Sequence, residues 1–169
     1  VHDVFVGPTG CGKTSLAMQK AAELLADGYN VLVCDPFMSN WPCTWQTTSI
    51  EQFIAAAKQS RRCGLFIDEG GQSIARNADF EWLFTGARHW GHKTHALVQD
   101  GVQMTPTMRG QCSTVALFGG CDERVSDLWA RAFAEPNLRL AVDLQRYEFL
   151  YKVRWHPLRR LTVPPGKAA

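Results

Sequence analysis

The chain has 169 residues, 46% of them hydrophobic and 20% charged, with a formal net charge of +2. That length suits one ordinary domain, which buries roughly 70% of its unfolded surface and holds a core without disulfide or metal. The composition excludes a disordered or collagen-like chain, bulk charge alone does not mark a nucleic-acid protein, and no apolar run reaches the roughly 18 residues of a membrane span.

The chain opens on Val1-His2-Asp3-Val4-Phe5-Val6, which reads as a strand over 2–6. It is too short for a signal peptide and lacks a basic leading region; without Met, it is expected to be a trimmed product or to lack its first residue. Next comes Gly7-Pro8-Thr9-Gly10-Cys11-Gly12-Lys13-Thr14, a full G-x-x-x-x-G-K-[ST] match between a strand and a helix. Glycines let the backbone curl so that successive N–H groups cradle phosphate oxygens, and the following helix N-terminus adds partial positive charge. This assigns residues 7–14 with Ser15 to nucleotide binding. Lys13 is expected to reach the β- and γ-phosphates, and Thr14 offers its hydroxyl to Mg²⁺.

Residues 13–26 read as that helix, with Ala17, Ala21, Leu24 and Leu25 on one face and Asp27-Gly28 as the stop. A strand is expected over 30–34. The loop 36–48 carries Phe37, Trp41 and Trp45 and is a candidate DNA-facing segment, packing against the fold being the other reading. The spacing of Ile50, Phe53, Ile54 and Ala57 predicts a helix over 50–60, with Ser49 and Gln52 as a capping box.

The run Gly64-Leu65-Phe66-Ile67-Asp68 predicts a buried strand ending in acid. Asp68 is expected to hold the Mg²⁺ shell, and Glu69 to orient and polarise an attacking water, which favours hydrolysis of ATP. Loop 70–78 with Arg76 is the second candidate DNA contact. A helix is expected over 79–88, strands over 94–99 and 114–118, a helix over 123–134 and a strand over 147–153. Strand and helix alternate, so the class is α/β with a mostly parallel central sheet; together with the phosphate-loop motif, the fold expected is a three-layer P-loop NTPase of RecA/ASCE-like type. This ATPase domain is expected over 1–155. Residues 156–169 read as a basic extended tail; from Lys152 onward the chain holds Lys152, Arg154, Arg159, Arg160 and Lys167 and no acid.

Two other patterns attract less weight. His89, His92 and His95 have regular spacing, but Gly91 interrupts them and no Cys or carboxylate follows at ligand spacing. The six cysteines, Cys11, Cys34, Cys43, Cys63, Cys112 and Cys121, contain no C-x-x-C pair. Cys34 and Cys112 read as core residues, Cys11 lacks the base a catalytic thiol needs, and the chain reads as reduced and cytosolic.

The segments Gly86-Ala87-Arg88-His89-Trp90-Gly91-His92, Ala96-Leu97-Val98-Gln99 and Pro106-Thr107-Met108-Arg109-Gly110-Gln111-Cys112 resemble the FtsK/HerA superfamily of DNA-pumping ATPases. Within it the chain looks most like the genome-packaging ATPases of tailless, membrane-containing, double-jelly-roll viruses, over about residues 3 to 135. The resemblance implies Gln99 as a γ-phosphate sensor and Arg88 as an arginine finger offered in trans, with Arg109 and Arg124 as fallbacks. It implies a homo-oligomeric ring, a hexamer by expectation, acting with ATP and Mg²⁺ on double-stranded DNA irrespective of sequence. Capsid or portal-vertex proteins are the further expected partners, and the packaging vertex of a virion or the host cytoplasm the expected location. The chain shows no winged-helix DNA reader, so grip would rest on backbone charge and pore loops. The alternative is an assembly ATPase like zonula-occludens-toxin and filamentous-phage export proteins, which share the Arg-His-Trp-Gly-like segment and strand-end Gln. A switch or small-molecule kinase is the third class; the Asp68-Glu69 pair argues against it.

Overall fold

The computed structural model describes residues 2–68 and 78–163. β1 (His2–Val6) is buried at every position because it lies at the middle of an eight-stranded sheet with helices on both faces. The sheet also contains β2 (Asn30–Cys34), β3 (Trp45–Thr47), β4 (Cys63–Ile67), β5 (Lys93–Val98), β6 (Thr114–Phe118), β7 (Glu148–Val153) and β8 (Arg159–Thr162), in the order β3-β2-β4-β5-β1-β6-β7-β8. The strands from β3 to β6 pair in parallel, and β7 and β8 close the far side antiparallel. The α/β class and mostly parallel sheet thus agree with the expectation.

The strands read as continuous apolar runs because each alternates between two cores. Val4, Leu65, Ala96 and Val115 face a core built with α2 (Ile50–Gln59) and α5 (Glu123–Phe133). Phe5, Phe66, Leu97 and Ala116 face α1 (Lys13–Ala26) through Ala17, Ala21 and Leu24. Leu25, expected on that buried face, is only partly covered. The Ser49 hydroxyl accepts from Gln52 N, as the capping pattern predicts.

Four elements depart from the expected pattern. The helix expected over 79–88 is broken into a 3₁₀ turn (Ala78–Glu81), the short α3 (Trp82–Thr85) and a second 3₁₀ turn (Ala87–Trp90). The Leu83 carbonyl, which a continuous helix would use, instead accepts from Thr94 Oγ1 at 2.6 Å. β3 arises inside the expected loop 36–48, where it pairs in parallel with β2. α4 (Pro106–Gln111) is a short helix outside the expected set; Thr105 caps Met108 N and Pro106 follows. Finally, Arg159–Thr162, expected in a free tail, pairs with β7, and Val163 is buried.

Candidate nucleotide site and its surroundings

The loop after β1 emerges at the carboxyl ends of the parallel strands, where the neighbours of β1 are β5 and β6 rather than the next strand in sequence. Crevices of open α/β sheets form at such crossover points. Gly7 N donates to Val98 O at 3.2 Å, tying the first loop residue to the end of β5. Lys13 is buried at the first turn of α1. Its ammonium donates to Gly7 O at 2.6 Å and Pro8 O at 2.8 Å, so the cation lies inside the loop it is expected to serve. Thr14 Oγ1 donates to Asp68 Oδ2 at 3.1 Å. This contact joins residues 54 positions apart and unites the two halves of the expected site. Asp68 follows β4 directly, and its N–H donates to Cys34 O at 2.9 Å. A hydroxyl and a carboxylate oxygen this close are the hard donors that Mg²⁺ takes beside water and phosphate. Thr14 and Asp68 therefore fit that ion.

Residues 4–81 match the family described as "ATPase family associated with various cellular activities (AAA)". The match covers a little under half of the chain, including the phosphate loop and Asp68, and supports ATP hydrolysis. No curated protein matches the chain's sequence. Its fold is similar to the genome packaging NTPase B204 of Sulfolobus turreted icosahedral virus 2, solved with ATP-γS. The TM-score is 0.79 at 15% identity, over 96% of this chain and 97% of that one. It is also similar to VirB4 of Thermoanaerobacter pseudethanolicus, with TM-score 0.70 at 9% identity over 98% and 90% of the two chains. The N-terminal domain of zonular occludens toxin from Neisseria meningitidis matches at TM-score 0.53 and 17% identity, over 68% and 74%.

The fold places the other expected residues unevenly. Gln99 is exposed one residue past β5, on the same sheet edge as the phosphate loop. Glu69 and Arg76 lie outside the described residues. Arg88 is exposed on the opposite edge, ahead of the amino end of β5 whose first residues pair with His2, and its guanidinium donates to Gln111 Oε1 at 3.3 Å. The five residues of β1 rise about 3.3 Å each, so on the order of 16 Å of strand separates His2 from the phosphate loop. Arg88 is thus out of reach of its own chain's nucleotide. Arg109, in α4, donates to Met104 O just ahead of that helix. Arg124 stands 3.7 Å from Asp100 on the nucleotide edge.

Loop 36–48 divides. Phe37 is exposed, but Trp41 is buried and donates to Asp35 Oδ2 at 3.1 Å. Asp35 also accepts from Phe37 N and Ser39 N, both at 2.8 Å. Burial alone would push its carboxyl up; these donors outweigh that and hold it below the usual range. Trp41 is therefore structural.

The basic C-terminal residues are largely engaged. Lys152 pairs with Glu135 at 2.9 Å, Arg160 with Glu148 at 2.8 Å, and Arg154 donates to Cys112 O, Arg109 O and Ala132 O. Residues 164–169, with Lys167, lie outside the described residues. His92 is buried, with Nδ1 accepting from Cys63 N and Nε2 donating to Ala57 O, while His95 lies in β5 beside Asp3 at 3.0 Å. The three histidines do not converge, and no metal-ligating cluster occurs among the described residues. Burial pushes the Cys11 thiol up, against a reactive role. No helix among the described residues is long and apolar enough to cross a membrane.

One neighbour of the loop is invisible in sequence. Arg146 Nε donates to Gly10 O at 3.1 Å across 136 residues. No spacing rule links positions that far apart, and only the antiparallel return of β7 brings them together.

Proposed function

We propose that this ATPase is the subunit of a ring-forming motor that moves double-stranded DNA into a preformed viral capsid. The observation that carries this reading is the split of the catalytic set across the sheet. Lys13, Thr14, Asp68 and Gln99 occupy one edge and Arg88 the other. A finger that cannot reach its own nucleotide acts on a neighbour's, which makes hydrolysis depend on assembly. Near-complete coverage in both directions of a packaging NTPase supports the same reading.

In this reading the loop N–H groups and Lys13 bind the β- and γ-phosphates. Thr14 and Asp68 would hold Mg²⁺, which neutralises phosphate charge when bound. Glu69 orients the attacking water, and Gln99 senses the γ-phosphate. Arg88 of an adjacent subunit stabilises charge spreading over the equatorial oxygens, a contribution of the order of 10³-fold or more for such fingers. DNA contact is by backbone charge and therefore weakens with salt. The six-membered ring, the capsid or portal partner and the packaging-vertex location belong to this proposal.

The test is ATP hydrolysis with and without long double-stranded DNA at low and moderate salt. DNA stimulation that fades with salt is expected. Arg88→Ala should abolish it, and mixing with Glu69→Gln subunits should partly restore it, because the second variant lends an intact Arg88 to the first variant's intact site. Hydrolysis in assembled protein that ignores DNA would overturn translocation and favour the export-type reading. Absence of rescue would overturn the trans finger.

A further inference from the structure

The residues just before β7 form a second wall to the nucleotide site. We propose that the arm 145–147 seats the nucleobase of the bound nucleotide on the Arg146 guanidinium, which the Tyr147 ring backs and holds in place. The inference rests on the nucleotide-binding reading of the phosphate loop.

The direction of the bound chain follows from the sheet. Thr14 and Asp68 meet on the β4 side of the loop and mark the metal-bearing, terminal-phosphate end. In the strand order, β4 and the β6–β7 pair lie on opposite sides of β1. A triphosphate anchored toward β4 therefore sends its nucleoside toward β6 and β7. An open cleft of about 250 Å³ lies there, lined by Pro8, Thr9, Gly10, Gly120, Leu144 and Arg146 among others. That space accepts a base and part of a ribose.

The wall is held in shape from three sides. Arg146 is anchored through Nε to Gly10 O, and its guanidinium lies 4.7 Å from the Tyr147 ring centroid. Tyr147 lies against the loop, so that a Cβ on Gly12 would stand 3.1 Å from its Cδ1. Its carbonyl accepts from Val163 N at 2.8 Å. At Gly119 the end of β6 presses so close that a Cβ would meet Leu144 O at 2.6 Å.

Two features point to a ligand rather than to packing. Tyr147 is among the exposed large hydrophobics, and it holds φ at 70°, a left-handed conformation uncommon for an aromatic residue and concentrated at functional positions. Guanidinium planes and aromatic rings are the groups on which bases stack.

Calorimetric titration with ATP and with inorganic tripolyphosphate separates base from phosphate contacts. Arg146→Ala and Tyr147→Gly are each expected to raise the Kd for ATP about five- to tenfold, the effect of one lost stacking partner. Both should leave the Kd for tripolyphosphate within about twofold. Tyr147→Gly also removes the left-handed penalty, so its melting temperature should not fall. Equal weakening of both ligands would make Arg146 a phosphate contact, and unchanged ATP binding would leave the arm no role; either overturns the proposal. A wild-type protein that binds neither ligand would overturn the nucleotide reading itself.

Discussion

The loop that carries Gln99 is pinned by one buried side chain, and two glycines allow that pin to be weighed. Trp129 on α5 is fully buried and donates through Nε1 to Asp100 O at 3.0 Å. Gly101 lies beneath it with φ at 75°, and a Cβ there would fall 2.5 Å from Trp129 Cζ2. Gly28 has a similar φ of 80° but nothing within 4 Å. Gly28→Ala therefore measures left-handed strain alone, about 1 kcal/mol. Gly101→Ala adds displacement of a packed indole, about 1–3 kcal/mol, and loss of its hydrogen bond, about 1 kcal/mol. The expected total is about 3–5 kcal/mol. For a domain of this size each kcal/mol lowers the melting temperature by roughly 2–4 °C. Thermal unfolding of the two variants should thus differ by on the order of 10 °C. Gly101→Ala should also lower kcat with little change in KM, because Gln99 moves while the phosphate loop stays. If Gly101→Ala is no more costly than Gly28→Ala, Trp129 is not what fixes this loop and the reasoning fails.

Asp68→Asn keeps the shape but removes the charge facing Thr14, so hydrolysis should fall by about 10²-fold or more with circular dichroism unchanged; phosphate release measures it. Asp35→Ala strands two backbone N–H groups and the Trp41 indole, at a cost of about 3 kcal/mol, readable as a lower urea midpoint. His2 is pushed down to about 4, first by burial and then by neighbouring positive charge, with Asp3 opposing. Its folded pKa lies below the unfolded one, so its stabilising effect is complete above about pH 6.5 and is lost as pH falls toward 4. About 2 kcal/mol should disappear between pH 7 and pH 5, and His2→Asn should remove that slope from denaturation curves.

Local signals carried far in this chain. The phosphate loop, α1 with its Asp27-Gly28 stop, the Ser49 cap and the apolar strands were legible because each depends on neighbours a few residues apart. Where a distant partner decides, the reading failed. Thr94 takes a carbonyl that local periodicity would leave to a helix, and β3 exists because β2 lies beside it. The basic run after Lys152 read as a free charged tail because Glu135 and Glu148, which neutralise part of it, are contributed by other segments.

The candidate site divides in the same way. Sequence alone determined where the glycine-rich loop lies and which Lys and Thr open the helix behind it, because Gly, Lys and Thr at fixed offsets mark such a turn wherever a strand runs into a helix. It also singled out Asp68 as a partner, since an acid ending an apolar strand lies at the carboxyl edge. Only the tertiary structure decided that Thr14 and Asp68 touch, that Arg88 stands a strand's length away, and that Arg146 and Tyr147 flank the loop. Those facts depend on strand order and on the antiparallel return of β7. Both are set by long-range burial of two cores, which no local spacing encodes.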